Sequence, residues 1–153
     1  MIIWLHEIPE GGLDFIGTEA GEILGLDDVP EADADGSVRY DLHAQVASGE
    51  LVVKGSVFAD LKLECARCGV FFSTNCGNSA FLRAYPLEPG RDEVDVTNDL
   101  RESVLLEMPA FPVCLAECKG LCPYCGMNLN EGDCGCEAPA GDGRWDALDD
   151  LEI

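Results

Sequence analysis

Positive charge is scarce in this sequence. Lys and Arg together number nine against thirty Asp and Glu, a formal charge of −21 over 153 residues. The deficit is spread along the chain: residues 1–60 carry thirteen acids and two bases, and residues 61–153 carry seventeen and seven. A protein that grips nucleic acid non-specifically neutralises phosphates with cations and releases counterions, about 6–10 of them at a typical site. Nine bases scattered among acids do not make such a surface, so autonomous DNA or RNA binding is disfavoured. A basic protein partner is the complementary expectation, because opposite potentials speed encounter. The plainer reading is that acidity serves solubility alone.

Long apolar runs are missing as well. No stretch approaches the roughly 20 apolar residues of a membrane-spanning helix, so no membrane partner is expected. The first residues, Met1-Ile-Ile-Trp-Leu-His-Glu-Ile, have no basic start and meet an acid at Glu7. They predict a strand and not a signal peptide, and hence a cytoplasmic protein. Only two histidines occur, His6 and His43, with no Ser or Cys partner suggested by spacing. No phosphate loop, dinucleotide fingerprint or HExxH is present. The expectation is a protein that is not an enzyme.

What is present is alternation. Hydrophobic residues make up 47% of the chain, enough for a core. Residues 2–8 suggest a short strand, Gly11-Gly12 a break, residues 18–26 a short helix, and the five acids of residues 27–36 an exposed loop. From Val38 the period becomes two: Val38, Tyr40, Leu42, Ala44 and Val46, then a Ser48-Gly49 turn, then Leu51, Val53, Gly55, Val57, Ala59, Leu61 and Leu63. A third strand follows Cys68, with Val70, Phe72, Thr74, Cys76, Ala80 and Leu82 on one side. Leu100, Val104, Leu105 and Met108 share one face of a helix that Thr97 can cap and Pro109 ends. The fold class is α+β: an antiparallel β-meander, which could curl toward a barrel, with few short helices and a C-terminal cysteine-rich zinc-binding appendage. Residues 1–112 form the β-rich domain with one helix, 113–138 the cysteine-rich segment, and 139–153 an acidic tail. In that tail Trp145, Leu148 and Leu151 fall on one side of a short helix.

Nine cysteines in such a chain need an explanation. In a reducing compartment, clustered cysteines are more often metal ligands or redox groups than disulfides. Six of them, Cys114, Cys118, Cys122, Cys125, Cys134 and Cys136, are spaced C-x3-C-x3-C-x2-C-x8-C-x-C. Cys122-Pro-Tyr-Cys125 can reach one tetrahedral metal at about 2.3 Å, and Gly126 lets the chain turn behind it. This segment has too few apolar side chains to fold on a core of its own. Structural zinc supplies about 10–16 kcal/mol of apparent folding energy, so zinc is the expected cofactor. Four thiolates suffice for one ion. Cys122 and Cys125 are preferred, then Cys118 and Cys136, then Cys114 and Cys134; all six could hold two ions through shared sulfurs. Cys65-Ala-Arg-Cys68 is a second C-x2-C. It could join the same metal, hold another with two distant cysteines, or simply pack. Cys76 lies on the apolar face of its strand and behaves as a small hydrophobe. The C-x3-C-x2-C triplet of radical S-adenosylmethionine enzymes also occurs at Cys118, Cys122 and Cys125. It stands near the end of a β-rich chain with no barrel to follow, which rules that class out.

The order of these pieces resembles the large ribosomal RNA subunit accumulation protein family (YceD). The residues that carry the likeness are Cys65-Ala-Arg-Cys68, Glu93-Val-Asp-Val96, Leu105-Leu-Glu-Met-Pro109, Pro112-Val-Cys114, Cys118-Lys-Gly-Leu-Cys-Pro-Tyr-Cys-Gly126, Cys134-Gly-Cys136 and Arg144-Trp145. It covers about residues 60–151, and departs at Gly69, where a Leu often stands, and at Gly143, where the family often has Pro. The resemblance implies a non-enzymatic ribosome-biogenesis factor needed for accumulation of large-subunit (23S-type) ribosomal RNA. The charge then points to a basic ribosomal or assembly protein as the direct partner, with ribosomal RNA touched indirectly. The competing expectation is a thiol-redox or zinc-sensing regulator whose exposed thiolates switch.

Overall fold

A computed structural model describes residues 1–137. The tail helix expected over residues 139–153, with Trp145, Leu148 and Leu151, lies outside the described residues. Four strands form one antiparallel sheet in chain order: β2 (Leu13–Ala20), β3 (Ala32–Ala47), β4 (Glu50–Glu64) and β5 (Phe71–Pro86). β1 (Ile2–Trp4) pairs instead with β6 (Glu93–Asp95) in a two-stranded ladder, and α1 (Thr97–Leu105) follows. The meander is open, with β2 and β5 as its edges, and it does not close into a barrel.

The long hairpin forms where the period-two pattern requires it. Ala47 pairs with Glu50 across the Ser48-Gly49 turn, and pairing runs back to Ala32 and Leu63. On β4, Leu51, Val53, Val57, Ala59, Leu61 and Leu63 are all buried while their neighbours are not. One face is therefore apolar and packed, the other wet. β1 and β6 bring Ile3 and Val94 onto this core, and α1 adds Leu100 and Val104, all fully buried. Among the described residues, no helix is long and apolar enough to cross a membrane.

Several local expectations change: the strand expected over residues 2–8 is Ile2–Trp4 followed by a 3₁₀ turn at Leu5–Glu7, and α1 ends at Leu105, short of Met108. Residues 18–26 are the end of β2 followed by a single 3₁₀ turn, Gly21–Leu24, and not a helix. The acidic loop is shorter than its composition suggests, because β3 begins at Ala32. Thr97 is the first residue of the helix and not its cap: Val96 holds the cap position without a side-chain bond, and the Asp95 carboxylate accepts from the Thr97 N–H at 2.9 Å.

Two carboxylates of α1 face Arg83 of β5, Glu102 at 3.8 Å and, more closely, Asp99. Arg83 Nε donates to Asp99 Oδ1 at 3.1 Å and the Tyr85 hydroxyl to Oδ2 at 2.7 Å. Burial, followed by the adjacent Asp99, pushes the Tyr85 phenol well above its ordinary value. Asp99→Ala leaves both donors without that acceptor at a half-buried contact. It should cost about 1–3 kcal/mol, read as a lowered urea midpoint at unchanged slope.

Candidate metal centres

Two turns in this chain are built alike. In the connection from β4 to β5, the Gly69 N–H donates to the Cys65 carbonyl at 2.9 Å, and the Cys65 N–H to the Val70 carbonyl at 3.0 Å. Near the C-terminus, the Gly126 N–H donates to the Cys122 carbonyl at 2.9 Å, and the Cys122 N–H to the Met127 carbonyl at 2.8 Å. Each is a Cys-x-x-Cys-Gly turn whose glycine takes positive φ, +68° at Gly69 and +73° at Gly126. The left-handed glycine reverses the chain behind the second cysteine, so that both sulfurs point into the same space.

Each turn meets a second pair of cysteines. Cys65 and Cys68 lie with Cys114 and Cys118, and Cys122 and Cys125 lie with Cys134 and Cys136; within each group the four Sγ atoms are all within 4.8 Å of one another. Each group could hold a metal ion. The six C-terminal cysteines thus divide two and four: Cys114 and Cys118 face the sheet, and Cys118 is not grouped with Cys122. Cys65 and Cys68, whose role the spacing leaves open, complete the first group. The signal that could have placed them is the repeat of Cys-x-x-Cys-Gly at residues 65–69 and 122–126. Cys76 belongs to neither group and is buried in the main core.

The interior of the cysteine-rich segment is sulfur. A small second core consists of buried Cys65, Cys68 and Cys118, with Phe72 and Cys114 packed against it. The segment's apolar side chains lie outside, with Leu115 67%, Tyr124 54% and Leu121 45% exposed. Hydrophobic burial therefore contributes little to its shape.

Backbone and amide N–H groups are aimed at the sulfurs. The Cys114 N–H donates to Cys65 Sγ at 3.4 Å, and the Tyr124 N–H to Cys122 Sγ at 3.5 Å. The Cys114 N–H, aided by those of Arg67 and Cys68, holds the Cys65 thiol down to about 6. The N–H groups of Cys125 and Tyr124 do the same for Cys122, also to about 6. Burial pushes Cys114 up to about 12, and hydrogen bonds to Cys125 and Cys134 push Cys136 up to about 12. Each metal-free group thus pairs an easily formed thiolate with a thiol that keeps its proton. A divalent ion must displace such protons, as it does in thiolate sites generally.

Elsewhere among the described residues the surface is less organised for chemistry. A depression of about 570 Å³ lies across the strands between Asp41, Lys54, Ser79 and Leu82. His43 Nδ1 pairs with Asp14 Oδ1 at 2.6 Å beside it. Among the described residues neither histidine hydrogen-bonds to a Ser, Thr or Cys.

Comparison with known proteins agrees with the resemblance. Residues 83–152 match the protein-family model described as "Large ribosomal RNA subunit accumulation protein YceD". An uncharacterised protein of Mycobacterium tuberculosis is 32% identical, over 82% of this chain and 60% of that protein. An uncharacterised protein of Mycobacterium leprae is 30% identical, over 60% of this chain and 49% of that one. A chloroplastic protein of Arabidopsis thaliana, named large ribosomal RNA subunit accumulation protein YCED homolog 1, is 35% identical over 41% of this chain and 20% of its own length. This chain spans about 60% of the length of the Mycobacterium bovis and Mycobacterium tuberculosis relatives. No solved structure matches.

Proposed function

Since the chain belongs, through residues 83–152, to the large ribosomal RNA subunit accumulation protein family, we propose that it is a non-catalytic ribosome-biogenesis factor that supports accumulation of 23S-type ribosomal RNA. The observation that carries this reading is the family match itself, which takes in α1 and all six C-terminal cysteines. Zinc is the ion we assign to the cysteine-rich segment. It is a closed-shell cation at home with four thiolates, and four-cysteine sites are structural. The ion's work there is to shape a segment that has no apolar interior.

The charge decides how such a factor meets the ribosome. With −21 against nine bases, direct grip on RNA works against the electrostatics. We assign a basic ribosomal or assembly protein as the direct partner and the cytoplasm as the compartment. Depleting the protein from its host should lower mature large-subunit RNA relative to small-subunit RNA, read on denaturing gels. An unchanged ratio in cells that lack the protein would end the reading. Pull-downs at low and moderate salt test the partner: RNA that stays bound after protease removes the accompanying proteins would overturn an indirect contact.

The exposed Cys125 and Cys136 favour a second reading, a thiol-redox or zinc-sensing regulator. Purified protein separates the two. Colourless material with about one zinc or more per chain supports the structural clip, and metal-poor, readily oxidised material supports the switch.

A further inference from the structure

The sulfurs at the β4–β5 turn are spaced for an ion. Cys65 Sγ and Cys118 Sγ are 3.9 Å apart, and Cys68 Sγ and Cys114 Sγ are 3.7 Å apart. Four sulfurs placed tetrahedrally at about 2.3 Å from zinc stand about 3.8 Å from each other. A disulfide would bring a pair to about 2.05 Å, and thiols packed only as small hydrophobes have no reason to adopt a common tetrahedral edge. Three of the four are at most 5% exposed.

The ligands also come from distant parts of the chain, 46 and 53 residues apart across the two sulfur pairs. Cys65 and Cys68 belong to the β4–β5 turn, and Cys114 and Cys118 to the chain that leaves α1. Around them the two parts are zipped together. The Arg67 guanidinium donates to the Cys118 carbonyl at 3.0 Å, the Leu121 N–H to the Arg67 carbonyl at 3.1 Å, and the Ala66 N–H to the Pro112 carbonyl at 2.8 Å. An ion here would fasten the cysteine-rich segment to the sheet, whereas the group at Cys122, Cys125, Cys134 and Cys136 closes only local chain.

One side chain joins the two groups. Asn130 lies in the loop between Cys125 and Cys134, and its Nδ2 donates to Cys118 Sγ at 3.4 Å while its Oδ1 accepts from the Lys119 N–H at 2.8 Å. The same loop is held by the Leu129 N–H on the Gly120 carbonyl at 2.9 Å. The loop that one centre closes therefore supplies an N–H to a sulfur of the other.

We propose that Cys65, Cys68, Cys114 and Cys118 bind a zinc ion of their own, which docks the cysteine-rich segment on the sheet and is coupled through Asn130 to a second ion at Cys122, Cys125, Cys134 and Cys136. The choice of zinc rests on the reading above; the existence of the docking site rests on the sulfur geometry.

The test is a metal count on the intact chain by elemental analysis and native mass spectrometry. The expected result is two zinc ions per chain, one in Cys68→Ser and one in Cys134→Ser. Cadmium-113 spectra of the unmutated chain should show two tetrathiolate resonances, which keeps the question open to test even where a serine variant aggregates. In Asn130→Ala both ions should remain. The resonance missing from Cys68→Ser should then yield to chelator at about tenfold lower competitor concentration, the usual scale for losing a hydrogen bond to a ligand. A single ion that survives in Cys68→Ser and vanishes in Cys134→Ser overturns the docking site but leaves the C-terminal zinc intact. A single ion with the opposite behaviour upholds the docking site and refutes the other. A chain that takes up no zinc at all overturns both. Equal chelator sensitivity of Asn130→Ala and the unmutated chain removes the coupling.

Discussion

Stripping metal from the intact chain should release residues 112–136 while the four-stranded sheet stays folded. The two regions are held by different forces. The sheet rests on a core of aliphatic side chains and Phe81, in which Cys76 is the one thiol, and hydrophobic burial holds it without any ion. The cysteine-rich segment buries thiols at its contact with the sheet and leaves Leu115, Leu121 and Tyr124 in water. Structural zinc supplies about 10–16 kcal/mol of apparent binding energy, as much as the whole stability of a typical domain, about 5–15 kcal/mol. Nothing else in the segment is of that size. Hydrogen exchange checks this: the amides of Leu121, Cys122 and Leu129, bonded to the Arg67, Met127 and Gly120 carbonyls, should lose protection on chelation, and those of β3 and β4 should keep it. Slow exchange at these three amides in verified metal-free protein would refute the assignment of zinc as the organising force.

Acid should reproduce chelation, and the direction follows from the thiols. Cys65 and Cys122 sit at about 6 against an ordinary 9.0. A depressed acid stabilises the folded state fully above its unfolded value and loses that contribution as pH falls through its folded value. An ion bound to these sulfurs holds them as thiolates further down still, so acid releases the segment by protons competing with the ion for the sulfurs. Cys114 and Cys136, pushed up to about 12, act in the other sense. They keep their protons at neutral pH until an ion displaces them, so metal uptake should acidify a weakly buffered solution.

The hairpin of β3 and β4 is legible in the sequence because its inward side chains alternate from Val38 to Ala44 on β3 and from Leu51 to Leu63 on β4. β2 is not. Its half-buried face carries Leu13, Phe15, Gly17 and Glu19, and the last two erase the apolar period that marks a strand. The cysteines divide in the same way. Their crowding and the Cys122–Cys125 spacing announce a metal, but Cys118 is separated by three residues from Cys122 on one side and from Cys114 on the other. Spacing alone cannot say which neighbour shares its centre. The fold decides by setting the β4–β5 turn against the chain that leaves α1, so Cys118 turns to Cys65 and Cys68. That is tertiary information, present in sequence only as the repeated Cys-x-x-Cys-Gly.

Truncating Phe81 to alanine should cost about 3–5 kcal/mol, and truncating Leu82 no more than about 0.5 kcal/mol. Strict alternation along β5 from Phe72, Thr74 and Cys76 gives the opposite order, since it carries the inward face to Ala80 and Leu82. Pairing with β4 breaks that alternation. From Gly55 opposite Phe81 to Val57 opposite Asn78, two steps on β4 meet three on β5. The extra residue is a bulge, and one extra residue exchanges the two faces of everything beyond it. Phe81 is consequently 1% exposed and Leu82 59%. The same reversal turns Arg83 and Tyr85 toward Asp99, so it also fixes where α1 sits and from where the chain departs toward Cys114. Urea denaturation of the two variants measures both costs, and a larger loss from Leu82→Ala than from Phe81→Ala would mean that β5 runs without the bulge.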